Sequence, residues 1–257
     1  MERVKLGEFC WTDLQSVDVD GQSAFYESLF GWTHQDVPTG PTTPDYRMFF
    51  KDGVIAAGCN TMSPDMAGMP SFWAVYIATP DVDATVAKAE ALGATVIMPT
   101  MDVLDSGRMV AIADPTGGSV FLWQARAHKG AEIFMSEGAI SWADLSTRDP
   151  ETAAAFYAEL LGWEIVKTET PGPYWQVLID GEGQGGIMLM PEMMGPDVPA
   201  FWTIYFGTND MDASLGQVAA LGGTVIAPPM EIGEGVSFAV VSDPAGAVFS
   251  LLGPLDA

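Results

Sequence analysis

Phe156, Tyr157, Leu160 and Leu161 fall on one stripe of a 3.6-residue helix, and Asp149-Pro150-Glu151 stands before them. Asp caps a helix well, Pro suits the first helical position, and an acid in the first turn meets the helix's positive end. Gly162 closes the helix, as a residue free to turn left-handed does. Phe25, Tyr26, Leu29 and Phe30 before Gly31 repeat the pattern, and aromatics at that spacing read as core. A β-rich run at 72–79 leads to a predicted helix over about 83–92, with Gly93 beyond it. TVIMP, RMVAIA and SVFLW then read as three strands, the last preceded by an Asp114-Pro115-Thr116-Gly117 turn. The order is strand, helix, three strands, and the chain holds four such units. Short helices alternating with groups of strands predict mixed sheets with helices on one face.

The pattern is also duplicated. WTDLQSVDVDGQSAFYESLFGW at 11–32 returns as WADLSTRDPETAAAFYAELLGW at 142–163, an offset of 131 residues. The run from Trp73 returns from Trp202, and Asp114-Pro115 returns as Asp243-Pro244, both 129 residues on. A period of about 130 residues is too long for a solenoid repeat and has the size of a small domain. We therefore expect two modules, at 1–125 and 138–257, joined by a linker at 126–137. His128, between Arg126 and Lys129, reads as part of a solvated charge patch on that linker.

A βαβββ unit used four times, with a DPxG turn before its last strand and FY..LFGW after the first helix, resembles the vicinal-oxygen-chelate superfamily. That superfamily includes glyoxalase I, extradiol dioxygenases and the fosfomycin and bleomycin resistance proteins. CWTDL, SWADL and GRMVAIADPTGGSVFLWQ look most like its two-module actinobacterial glyoxalase-like or "hydroxylase" branch, over residues 7–253. The resemblance implies an α+β fold. Each module would contain two βαβββ units forming a curved eight-stranded mixed sheet around a cavity, with the helices outside.

Metal-using members of the superfamily carry His, Glu or Gln on the cavity face of the first, fifth and eighth strands. By position these fall on Trp11 and Trp142, at or beside Trp73 and Trp202, and on Phe121 and Ser250. None is a usual ligand for a divalent ion, which needs three or four N/O donors. The expectation is no metal site and no cofactor, with a metal on unrecognised ligands as the alternative.

Strand side chains alternate faces. If Trp11 points into the cavity, Phe9 and Asp13 do too, and Trp142 and Asp144 follow in the second module. The two aspartates would hold a cationic or hydroxylated ligand or act as general acid/base. Alternatively, each caps backbone N–H groups or pairs with an arginine such as Arg108 or Arg148. Trp11, Trp73, Trp123, Trp142 and Trp202 would give a planar or cationic ligand faces to stack on, or would fill the cavity as core. Ser250 and Leu252, where the first module has Phe121 and Trp123, make the second cavity the more open one. The hairpin tips at 38–46 and 170–174 add Tyr46, Arg47, Tyr174 and Gln176 as polar contacts. Met-rich loops at 61–72 and 187–201 read as a flexible rim or as packed crossovers.

Charge narrows the partners. With 34 acids against 10 Lys and Arg the chain carries −24. That surface repels phosphate backbones and anionic lipid, so neither nucleic acid nor membrane is expected. No apolar run approaches the roughly 18 residues of a membrane span. MERVKLGEFCW lacks the apolar segment of a signal peptide, so the chain reads as cytoplasmic. Cys10 and Cys59 form no motif and suit a reducing compartment. The expected function is metal-independent binding of a small molecule, planar or cationic, by a monomer or homodimer. The alternatives are a lyase, isomerase or hydroxylase-type enzyme using Asp13 or Asp144, and a scaffold with closed cavities.

Overall fold

The computed structural model describes residues 5–41, 43–66, 68–169, 172–233 and 235–255. Thr42, Thr170 and Pro171 of the two hairpin tips, Ala67 of the first Met-rich loop, and the module ends at 1–4 and 256–257 lie outside the described residues.

The βαβββ order recurs four times. The first module begins with β1 (Phe9–Ser16), α1 (Val19–Phe30), β2 (Trp32–Val37), β3 (Tyr46–Lys51) and β4 (Val54–Thr61). It continues with β5 (Phe72–Ala78), α2 (Val82–Ala91), β6 (Thr95–Val103), β7 (Gly107–Ala113) and β8 (Ser119–Ala125). The second module begins with β9 (Ile140–Thr147), α3 (Pro150–Leu161), β10 (Glu164–Thr168), β11 (Tyr174–Ile179) and β12 (Glu182–Leu189). It closes with β13 (Phe201–Gly207), α4 (Met211–Ala220), β14 (Thr224–Gly233), β15 (Val236–Ser242) and β16 (Val248–Gly253). The strands form two open eight-stranded mixed sheets, β2-β3-β4-β1-β5-β8-β7-β6 and β10-β11-β12-β9-β13-β16-β15-β14.

Local chemistry sets the helix limits. Asp18, Asp81, Asp149 and Asp210 each cap a helix, accepting from the backbone N–H three residues on at 2.9–3.1 Å. Gly31 and Gly162 end α1 and α3 with φ of 67° and 74°, where a side chain would be strained. No helix among the described residues is long and apolar enough to cross a membrane.

Contacts group the chain into two compact units that cut across the sequence repeats. One comprises Met1–Trp11, Val75–Gly130 and Ala143–Thr203; the other comprises Thr12–Ala74, Ala131–Trp142 and Ile204–Ala257. Each unit thus takes half of either module, and its core shows how. In the first unit Asp114 of the DPxG turn is buried and accepts from Thr116 N, Gly118 N and the Thr116 hydroxyl. The same carboxylate accepts from Tyr157 Oη on α3 at 3.0 Å, and Trp202 Nε1 donates to that hydroxyl at 3.3 Å. In the second unit Asp243 closes its own turn through Ala245 N and Ala247 N. It also accepts from Tyr26 Oη at 2.9 Å and from Gln22, while Trp73 Nε1 donates to Tyr26 Oη at 2.9 Å. Buried carboxylates are tolerated because every one of these contacts replaces water. Burial, reinforced by the neighbouring aspartate, holds both phenols well above their usual range.

Candidate functional site

Asp13 on β1 is 5% exposed and faces Gly58, its register partner on β4. Tyr46, at the start of β3, donates its hydroxyl to Asp13 Oδ1. A Cβ on Gly58 would collide with both the Tyr46 hydroxyl and the Asp13 carboxylate. Glycine is therefore what lets the tyrosine cross β4 and reach the aspartate. All of this lies in the second unit.

The first unit contains the same arrangement. Asp144 on β9, also 5% exposed, is in register with Gly186 on β12. Tyr174 on β11 donates to Asp144 Oδ1 at 2.6 Å, and a Cβ on Gly186 would strike the Tyr174 hydroxyl. Gln176 is half-buried opposite Gly186, on the face of β11 that it shares with Tyr174. Sequence reading placed Tyr46 and Tyr174 among polar contacts at hairpin tips without joining them to the aspartates. The signal was available: Tyr46 to Tyr174 and Gly58 to Gly186 are both 128 residues apart.

The arginines weighed as carboxylate partners go elsewhere. Arg108 bonds Asp83 of α2 at 2.6 and 3.3 Å and lies 3.3 Å from Asp102. Arg148 donates to the Gly195 and Val198 carbonyls. Arg47 is buried against Asp36, Asp20 and Ser23, tying β3 to β2 and α1, and its guanidinium holds the Asp36 carboxyl below its usual range. Cys59, next to Gly58, is pushed up to about 12, by burial first and then by the Asp13 charge.

The expected aromatic residues divide into two groups. In the first unit Trp11 meets the His128 ring edge-on at 4.5 Å, and Trp123 lies 6.0 Å from the same ring. Phe121 stacks on Tyr76 at 4.7 Å, and Tyr76 meets Trp123 edge-on at 6.4 Å. In the second unit Trp142 is half-buried on β9, Tyr205 packs on Phe238 at 5.7 Å, and Ser250 is fully buried in register with Tyr205.

Trp73 and Trp202 belong to neither group. They face helices α1 and α3 and donate to Tyr26 and Tyr157, so they are helix-side core rather than ligand contacts. Alternation explains the correction: Trp73 is three residues from Tyr76, so the two occupy opposite faces of β5. Phe9 is corrected too, since it packs on Trp163 at 5.3 Å and Trp202 at 5.6 Å. His128 is not a solvated linker residue. Its Nε2 is enclosed, and burial pulls its pKa down to about 4.

The superfamily resemblance implies a divalent metal, and the residues here do not fit one. The first- and eighth-strand positions carry Trp11 and Phe121 in one module and Trp142 and Ser250 in the other. Trp73 and Trp202 bond to tyrosines. Among the described residues no group of three His, Cys, Asp or Glu could hold a metal ion.

Comparison with known proteins agrees with the fold. Residues 9–121 match the family described as the glyoxalase/bleomycin resistance protein/dioxygenase superfamily, and residues 142–252 match the glyoxalase-like domain. The chain is 42% identical over 246 residues to "Putative glyoxylase CFP32" of Mycobacterium tuberculosis (strain CDC 1551 / Oshkosh), covering 95% of this chain and 94% of that one. It is 34% identical over 270 residues to the anthracycline biosynthesis protein DauV of Streptomyces sp. (strain C5), covering 98% and 95%. Among solved structures it is similar to the Mn(II)-bound glyoxalase from Novosphingobium aromaticivorans, with a TM-score of 0.64 at 14% identity over 96% of this chain and 82% of that one. It is also similar to the 2,3-dioxygenase LapB from Pseudomonas sp. KL28, with a TM-score of 0.66 at 12% identity over 97% and 93%. Likeness at such low identity speaks for the fold alone. Taken with the matched families and the full-length relatives, it establishes that the chain belongs to the glyoxalase/bleomycin resistance protein/dioxygenase superfamily, as two of its modules in tandem.

Proposed function

We propose that this protein binds a planar, hydroxylated aromatic small molecule without the superfamily's divalent metal. The Tyr–Asp pair built once in each module, over a glycine that makes room for it, carries this reading. A buried carboxylate is costly to maintain unless it has a partner to hold. A tyrosine hydroxyl on one oxygen orients the carboxylate, and a carboxylate has lone pairs enough to accept several hydrogen bonds, one of them from a ligand hydroxyl. Aromatic side chains stand in each unit as well, Trp11 and Trp123 with Asp144 in the first and Trp142 and Tyr205 with Asp13 in the second, and such rings suit a planar ligand. The relative named for anthracycline biosynthesis points to the same ligand class, polycyclic hydroxylated aromatics. The net charge of −24 favours ligands that also carry a positive group.

The test is a tryptophan-fluorescence titration with 1,8-dihydroxyanthraquinone, before and after exhaustive dialysis against EDTA. Saturable quenching unchanged by EDTA, and weakened about tenfold in Asp13→Asn or Asp144→Asn, is the expected result. Binding that vanishes with EDTA and returns with Mn²⁺ would overturn the metal-independent reading. No quenching at all would overturn the ligand class.

A second reading has one specific observation behind it. The 2.6 Å contact between Tyr174 Oη and Asp144 Oδ1 is a short, charge-assisted hydrogen bond suited to passing a proton. An enzyme of this kind would lose turnover in Asp144→Asn while still binding its substrate.

A further inference from the structure

We infer that His128, on the segment joining the two modules, is a ligand-binding residue: its Nε2 hydrogen-bonds an in-plane hydroxyl or carbonyl of an aromatic ligand held against Trp11 and Trp123. The inference rests on the proposed ligand class and adds a residue and a contact to it.

The linker histidine is held in place from several sides. Its backbone N–H donates to the Ser106 carbonyl at 3.1 Å, and its own carbonyl accepts from Trp123 Nε1 at 3.1 Å. Two residues on, Gly130 has φ of 114° and lies so close to the Cys10 carbonyl that any Cβ would collide with it. The chain is thereby laid against β1 beside Trp11, and the imidazole meets that indole edge-on at 4.5 Å. Flanking Arg126 is held by Asp102 at 2.6 Å.

This fixed imidazole has an enclosed Nε2 with no hydrogen-bond partner among the described residues. A buried polar atom left unpaired is costly, and a phenylalanine at the same place would avoid that cost. The ring is neutral at physiological pH, because burial lowers its pKa to about 4. A neutral imidazole offers a donor or an acceptor, according to tautomer, to either kind of oxygen on a hydroxylated aromatic. The ligand needs no charge to use it.

The test compares His128→Phe, which keeps the ring and removes the nitrogen, with His128→Gln, which keeps a donor and an acceptor. Both are titrated by fluorescence with 1,8-dihydroxyanthraquinone and with anthracene, which is planar but has no oxygen. His128→Phe should bind the hydroxylated probe about tenfold more weakly and anthracene unchanged, while His128→Gln keeps most of the affinity for both. Equal affinity of wild type and His128→Phe for the hydroxylated probe would overturn the histidine's role and leave the proposed function standing. Failure of wild type to bind the hydroxylated probe would overturn both. Should His128→Phe not fold, ¹⁵N spectra of wild type labelled at histidine decide: the His128 Nε2 resonance moves on saturation if the contact forms and stays put if it does not.

Discussion

The Tyr174 hydroxyl lies 2.6 Å from the Asp144 carboxylate and occupies the space that a side chain at position 186 would need. The two facts are one device, and they make the glycine testable. Gly186→Ala and Gly58→Ala should each expel a tyrosine from its aspartate, costing about 1–3 kcal/mol as over-packing does. Urea titration measures the loss, and the variants should also bind the anthraquinone probe more weakly. Unchanged stability and affinity in both would mean that the tyrosines do not depend on the missing side chain.

Alkaline pH should weaken the fold through Tyr26 and Tyr157. Burial, then the charges of Asp243 and Asp114, raise both phenols well above 10.0 in the folded state. The stability they contribute is fully present below pH 10 and is lost as pH rises beyond it, at up to about 1.4 kcal/mol per pH unit for each group. Buried Cys10 and Cys59 act in the same direction. Chemical denaturation between pH 8 and 11 should therefore show a steep loss in wild type and a shallower one in the Tyr26→Phe, Tyr157→Phe double variant. Parallel slopes would rule out the phenols as the cause.

Ser250 offers a prediction of opposite sign. Its hydroxyl is fully buried and has no hydrogen-bond partner among the described residues. Removing an unsatisfied polar group relieves a penalty, so Ser250→Ala should be neutral or stabilising by up to about 1 kcal/mol. A thermal-melt comparison is enough, and a clear drop in Tm would reveal a partner for the hydroxyl.

Thiol reactivity checks the packing of β1 and β4. Burial raises Cys10 far above the usual thiol range and Cys59 to about 12, so neither is thiolate near neutral pH. A colorimetric disulfide reagent should label both only as fast as the protein opens, and 6 M guanidinium should expose two equivalents at once. Immediate labelling of the native protein would contradict the buried placement.

Much of the fold was legible in the chain. Aspartate caps, terminal glycines and alternating strands act over a few residues, and the doubled WxDL…FY…GW pattern carries the same local rules twice. Those interactions are short-range, so their residue types are fixed wherever the chain goes. Strand parity reads Phe9, Trp11 and Asp13 onto one face, and Phe9 instead packs on Trp163 and Trp202. At Trp73 an error of one position turned a helix-side residue into a ligand contact.

The sequence by itself determined the secondary elements, their duplication and the net charge of −24. Only the tertiary structure decided the partners. Tyr46 reaches Asp13 across 33 residues, Tyr174 reaches Asp144 across 30, and Tyr26 reaches Asp243 across 217. Chain separation does not encode such contacts: the two strand pairs depend on register and on a backbone gap left by a glycine, and Tyr26–Asp243 depends on a helix meeting a turn of the other module. His128 shows the same limit: flanked by Arg126 and Lys129 it reads as solvated, and the path of the linker over β1 buries it against two tryptophans. Burial is a property of where the chain is carried, and that is settled by packing rather than by neighbours in sequence.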